Sequence, residues 1–183
     1  MNHFLSRTST RTITTRASSH LIKSNMMRIG IVGGGQAGIN CAQNLAKTLT
    51  EADNIEVVVL EKSAHFYHTL GAARACVDAD YAKNMFTSSG FVRMEHAVAT
   101  GISADKKEVS FHPISADDKK SGKAEKLQFN YLVLATGSTY TVPIKQDPED
   151  YTRTTTEAKL QEVRSEIEKA GKILIGGGGA VGL

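Results

Sequence analysis

Two glycine patterns and one acid carry the chemistry that can be read from this chain. Gly33, Gly35 and Gly38, within GGGQAG, have the spacing GxGxxG, and Gly177, Gly179 and Gly182, within GGGGAVG, repeat it. In such a pattern the first glycine permits a tight turn out of a strand. The second lets backbone approach a pyrophosphate, and the third lets the next helix pack close to the sheet. The helix that follows points its N-terminal amides at the phosphates. Glu61 stands 23 residues beyond Gly38. A carboxylate at that distance accepts hydrogen bonds from ribose hydroxyls and repels a 2′-phosphate. The first pattern therefore implies a dinucleotide with free ribose hydroxyls, and on these residues alone FAD and NAD fit equally.

The surrounding elements must position those groups. Residues 28–32 are a short apolar, β-branched run that reads as a strand. Ala37, Cys41, Ala42, Leu45, Ala46 and Leu49 recur at helical spacing, giving a helix with one apolar stripe, and residues 55–60 form a second strand ending at Glu61. His65 and His68 are three apart with no further residue at metal-ligand spacing, so they read as loop residues beside a cofactor and the pattern assigns no metal. Helix begins near Gly71, and Arg74 is a cation placed to reach a pyrophosphate. Between residues 91 and 130, alternating runs separated by charged turns predict a small antiparallel meander. Residues 131–135, YLVLA, suit a buried parallel strand that delivers Thr136, Gly137 and Ser138 at its carboxyl end. A second helix is expected over 154–170. It has a capping box of Thr154 and Glu157, a stripe of Leu160, Val163, Ile167 and Ala170, and Gly171 as its stop. Residues 172–175 then read as the strand that enters the second glycine pattern. The chain ends at Leu183, before the helix and strand that such a unit needs to bury its apolar faces, which predicts a truncated protein.

Composition narrows the function classes. The 183 residues are 40% hydrophobic and 22% charged, as in globular proteins. No apolar run is long enough to span a bilayer. The formal charge is +3, but Arg7, Arg11, Arg16 and Lys23 lie in a leader, residues 1–27, that has no acid; the rest holds 18 basic against 19 acidic residues. The body thus lacks the basic surface of a nucleic-acid binder. An Arg- and Ser-rich, acid-free leader is the composition of a mitochondrial transit peptide, the alternatives being a disordered extension or a start at Met26 or Met27 in a cytoplasmic protein. Cys41 and Cys76 cannot form a disulfide framework or a CxxC site.

RIGIVGGGQAG, HTLGAARACVDADYAKNMF, YLVLATGSTYTVPIK and KILIGGGGAVG together resemble the flavoproteins with two dinucleotide-binding domains, within them the apoptosis-inducing-factor-like group that includes the ferroptosis suppressor and fungal homologues. The resemblance covers residues 28–183. It implies an α/β protein with a leader over 1–27 and a Rossmann-like FAD-binding domain over 28–150, built on a parallel sheet with a meander insertion. Residues 151–183 would be a linker helix and the start of an NAD(P)H-binding Rossmann domain. By this likeness Gly33, Gly35, Gln36, Ala37, Gly38, Glu61, Lys62 and Arg74 hold FAD, with Val98 by the adenine and Ala135, Thr136 and Gly137 over the pyrophosphate. Lys145 approaches the flavin ring as the catalytic candidate, and Gly177, Gly179 and Gly182 cradle the pyridine nucleotide. The implied activity is hydride transfer from NAD(P)H to FAD and on to a quinone, with peripheral membrane association as an option and the oligomeric state open. The family's acid after the second pattern, its nucleotide-selecting acid, flavin-contacting C-terminal segment and interface domain would all follow Leu183. Paired cysteines of the disulfide reductases are missing after Glu61. Two other readings compete: a peroxidase or oxidase that cycles Cys76 through a sulfenic acid, and a catalytically inactive nucleotide-binding module.

Overall fold

The computed structural model describes residues 26–87, 93–115 and 122–179. Strands without polar alternation need cover on both faces, and the centre of the sheet is built from two of them. Strand β1, Met27–Val32, lies parallel to β2, Ile55–Glu61, on one side and to β8, Tyr131–Leu134, on the other. Ile29 and Ile31 of β1 join Val57 and Val59 of β2 on one face. There they meet helix α1, Gln36–Thr48, through Ala42, Cys41 and Leu45. Val32, Val58 and Leu60 face the opposite way, onto Val109, Phe111 and Leu127.

That second cover comes from the expected meander. Strand β5, Arg93–Ser103, starts parallel to β2 and continues antiparallel to β6, Glu108–Pro113, which pairs with β7, Glu125–Gln128. The sheet order is β7-β6-β5-β2-β1-β8. A register shift between Ala99 and Gly101 interrupts the β5 and β6 pairing, the kind of irregularity that bends a strand. Gly30 breaks the apolar run of β1 because a Cβ there would lie 3.3 Å from Leu132 Cδ1.

A separate cluster forms around a second, two-stranded sheet. Strands β3, Phe66–Tyr67, and β4, Phe86–Thr87, enclose the short helices α2, Ala72–Ala75, and α3, Ala79–Ala82. Helix α4, Arg153–Lys169, packs Leu160 against Tyr67, Ala72, Ala75, Cys76 and Met85. Arg164 Nη2 donates to the Ala75 carbonyl at 2.6 Å.

Five expectations are corrected. On α1 the buried apolar residues are Ile39 and Ala42, while Ala37 and Ala46 are exposed. Strand β8 is parallel but sits at the sheet edge, leaving Tyr131 64% and Leu134 60% exposed. Helix α4 is capped by Thr152, whose hydroxyl accepts from Thr155 N; Glu157 instead pairs with Arg153 at 2.7 Å. The helix ends in extended backbone at Ala170, which is exposed, so the conformational freedom of Gly171 is not used. Residues 172–175 join no sheet among the described residues, and Leu174 is 97% exposed. No helix among the described residues is long and apolar enough to cross a membrane. The leader reading concerns residues 1–27, of which 1–25 lie outside the described residues and Met27 opens β1.

Candidate dinucleotide site

The carboxyl ends of β1, β2 and β8 meet at one cleft of about 390 Å3. Two glycines of the first pattern are fixed by backbone. Gly33 has φ +103°, and its N–H donates to the Leu60 carbonyl at 2.9 Å; a Cβ on it would stand 2.4 Å from the Ala135 carbonyl oxygen. A Cβ on Gly38 would stand 1.8 Å from the Gly33 carbonyl oxygen, so α1 starts as close to the turn as backbone allows. Gly35 differs. Among the described residues nothing beyond its chain neighbours lies within 4 Å of its would-be Cβ, which leaves open space in front of the turn.

Glu61 closes the turn from β2. One carboxylate oxygen accepts from Gly34 N–H and the other accepts from Ser63 N–H at 2.9 Å. Both oxygens are thereby oriented, and a carboxylate retains further acceptor positions for hydroxyls. From the third strand, Ala135 N donates to the Val32 carbonyl at 2.8 Å, and Thr136, Gly137 and Ser138 continue along the opposite wall. Gly137 has φ +70°, and Lys145 Nζ donates to the Ser138 carbonyl beside it while lying 5.5 Å from the Tyr140 ring.

Gly33, Gly35, Gln36, Ala37, Glu61, Lys62, Ala135, Thr136, Gly137 and Lys145 therefore line one cleft, with Gly38 packed beneath the turn. Val98 lines an adjoining cleft of about 240 Å3 that shares Gly33, Glu61, Lys62 and Thr136 with the first. Arg74 does not join them. It is exposed on α2, paired with Asp78 at 3.2 Å and stacked 4.4 Å over the Tyr81 ring. Gly177 has φ +112°, close to the angle of Gly33, but among the described residues beyond their chain neighbours nothing lies within 4 Å of a would-be Cβ on Gly177 or Gly179, and Gly182 lies outside the described residues.

His65 lines the cleft as expected of a loop residue beside a cofactor, and Ser63, Tyr67, Gln146 and Pro148, which no sequence pattern announces, line it too. Tyr67 is buried and donates to the Pro143 carbonyl at 2.6 Å; burial pushes its hydroxyl well above the usual tyrosine range. His65 meets the edge of Phe86, and His68 Nδ1 lies 3.4 Å from the Tyr81 hydroxyl. Among the described residues no three His, Cys, Asp or Glu side chains are gathered for a metal. Cys76 is 6% exposed within the α4 cluster and is not among the lining residues. Burial pushes its thiol up and Arg164 only partly offsets this, the reverse of what a reactive thiolate needs.

The family model described as pyridine nucleotide-disulphide oxidoreductase matches residues 27–183. The chain is 29% identical to the apoptosis-inducing factor homolog B of Dictyostelium discoideum over 86% of its length and 37% of that protein. It is 31% identical to homolog A of the same organism, over 85% of this chain and 35% of that one. It is 28% identical to ferroptosis suppressor protein 1 of Homo sapiens, over 88% and 40%. The chain thus spans 35–40% of the length of these three relatives. Among solved structures, the sulfide:quinone oxidoreductase of Aquifex aeolicus superposes with a TM-score of 0.57 at 16% identity, over 78% of this chain and 32% of that one. The water-forming NADH oxidase of Lactobacillus brevis gives 0.54 at 22%, over 85% and 35%. These two likenesses concern the fold.

Proposed function

Because the chain belongs to the pyridine nucleotide-disulphide oxidoreductase family, we propose that it is the FAD-holding part of an NAD(P)H oxidoreductase that passes electrons to a quinone. Its cofactors are those of the family, FAD and NAD(P)H. The observation that carries the reading is the convergence of Gly33, Glu61 and Ala135, from three parallel strands, on one cleft whose front at Gly35 is open. The adjoining cleft at Val98 gives the site a second compartment, and a dinucleotide has two ends to place. The quinone acceptor and the roles of individual residues rest on the resemblance and on the relatives at 28–31% identity.

When bound, FAD supplies the hydride-accepting ring; the chain binds and orients it. Glu61 holds the adenosine ribose through its hydroxyls, and the α1 N-terminus at Gln36 and Ala37 faces the pyrophosphate. Thr136 and Gly137 form the opposite wall. Lys145 sets a positive charge beside Gly137, at the end of the cleft assigned to the flavin. The full-length product should purify yellow and should oxidise NADH with a soluble quinone as acceptor. A correctly folded protein that remains colourless after incubation with FAD overturns the reading. Mitochondrial placement is proposed from the leader: residues 1–27 fused to a reporter should direct its import and be trimmed, and a diffuse cytosolic signal refutes it.

A further inference from the structure

The cleft has two walls, and one lysine joins them. On the fingerprint side, the Lys62 carbonyl lies 2.8 Å from His96 Nε2, which ties its backbone to β5. The side chain then reaches across: Nζ donates to the Pro148 carbonyl at 3.5 Å and stands 5.0 Å from the centre of the Tyr151 ring. Tyr151 is buried, so the ring is a fixed platform. Pro148, Gln146 and Lys145 belong to the segment from Ser138 to Asp150, which forms the far wall. That segment is also fastened from behind, by Tyr67 to the Pro143 carbonyl and by Gln146 Nε2 to the Tyr151 carbonyl and Thr156 Oγ1. None of those fastenings starts from the strand that carries Glu61; Lys62 does.

We propose that Lys62 is a positioning residue, a clasp that holds the segment 138–150 against the end of β2 and so retains the dinucleotide by keeping the far wall closed. It acts through Pro148 and Tyr151 and not as a ligand of the cofactor's phosphates. A lysine serving as a phosphate ligand would direct Nζ into the open space before Gly35; this one is spent on a carbonyl and a ring face of the opposite wall. An ammonium over a buried aromatic ring is a favourable pairing, and losing it from a wall that retains its other fastenings loosens the wall without unfolding it. The proposal rests on the FAD reading for what is retained, but not for the clasp itself.

The test uses Lys62→Met, which keeps the aliphatic stem and removes the charge, with Lys62→Arg as the conservative rescue. Two rates are measured on the purified protein. They are FAD release into a flavin-scavenging buffer, followed by flavin fluorescence, and tryptic cleavage after Lys145 in protein stripped of flavin, which reports local opening of the wall. The clasp requires both to rise in Lys62→Met, by about fivefold, and both to return in Lys62→Arg. Faster FAD release with unchanged cleavage would make Lys62 a direct cofactor ligand and overturn the clasp, as would no change in either. If the wild-type protein holds no FAD, the functional reading fails, and the cleavage rates still decide the clasp.

Discussion

At the scale of single residues, the glycines of one motif do different work, and substitution separates them. Gly33→Ala must place an L side chain at φ +103° and push a Cβ against the Ala135 carbonyl oxygen. It should cost about 2–3 kcal/mol in chemical denaturation, from strain and steric overlap together. Gly35→Ala meets none of the described residues beyond its chain neighbours, so stability should stay within about 0.5 kcal/mol while FAD affinity, read by flavin fluorescence titration, falls. Equal stability losses in the two variants would mean the open space at Gly35 is not there in solution. Gly33 and Gly38 are legible in the sequence because backbone geometry restricts those positions to glycine, and Gly35 and Glu61 are legible from their spacing along the chain. Arg74 reads from the sequence as a pyrophosphate ligand, but the chain close by supplies it with a nearer partner. Asp78, four residues on, offers it a partner on the same helical face. Ser63, Tyr67, Gln146 and Pro148 carry no such signature, since they reach the cleft through packing between segments distant in the chain.

Elements show how local signals compete. Thr154 and Glu157, which satisfy the capping-box pattern in the sequence, both lie within the first turns of α4. The structure caps the helix two residues earlier, at Thr152, because Asp150 Oδ2 accepts from the Thr155 hydroxyl while Thr152 Oγ1 accepts from Thr155 N, leaving Glu157 to Arg153. Thr152→Ala should therefore destabilise the protein by about 1 kcal/mol, and Thr154→Ala should be near neutral, as thermal melts would show. Leu160 is the anchor of the same helix, 1% exposed in the cluster with Tyr67 and Met85. Its truncation to Ala should cost about 2–4 kcal/mol by opening a cavity. Burial of a strand is less legible than its direction. The apolar run of β8 accounts for its parallel pairing, but whether it lies inside or at the edge depends on which strands pair with it, and residues 172–175, which read as a strand, pair with none of the described residues.

The whole molecule divides function from stability between the two ends of its sheet. The cleft occupies the carboxyl ends of β1, β2 and β8, while an ion network holds the other end together. Arg28 Nε lies 2.6 Å from Glu56, Arg93 pairs with the other Glu56 oxygen and with Glu95, and Arg28 Nη1 donates to the Gln128 carbonyl at 3.2 Å, so β1, β2, β5 and β7 are joined through one carboxylate. Burial alone would raise the Glu56 carboxyl; hydrogen bonds from Arg93 and Arg28, with their charges, outweigh it and hold the group below the usual glutamate range. A carboxyl depressed in the folded state contributes stability that is present above its unfolded value, about pH 4.3, and is lost as pH falls through the lower folded value. Glu56→Gln keeps the shape and removes the charge. At pH 7 it should lower stability by about 2 kcal/mol, since two guanidinium groups lose their charged acceptor. Below about pH 4 the wild type should lose this advantage, and the two denaturation free energies should converge. Glu56 is remote from the cleft, so FAD affinity at pH 7 should be unchanged in the variant. A difference in stability that persisted undiminished into acid would show that Glu56 acts by packing and not by its charge.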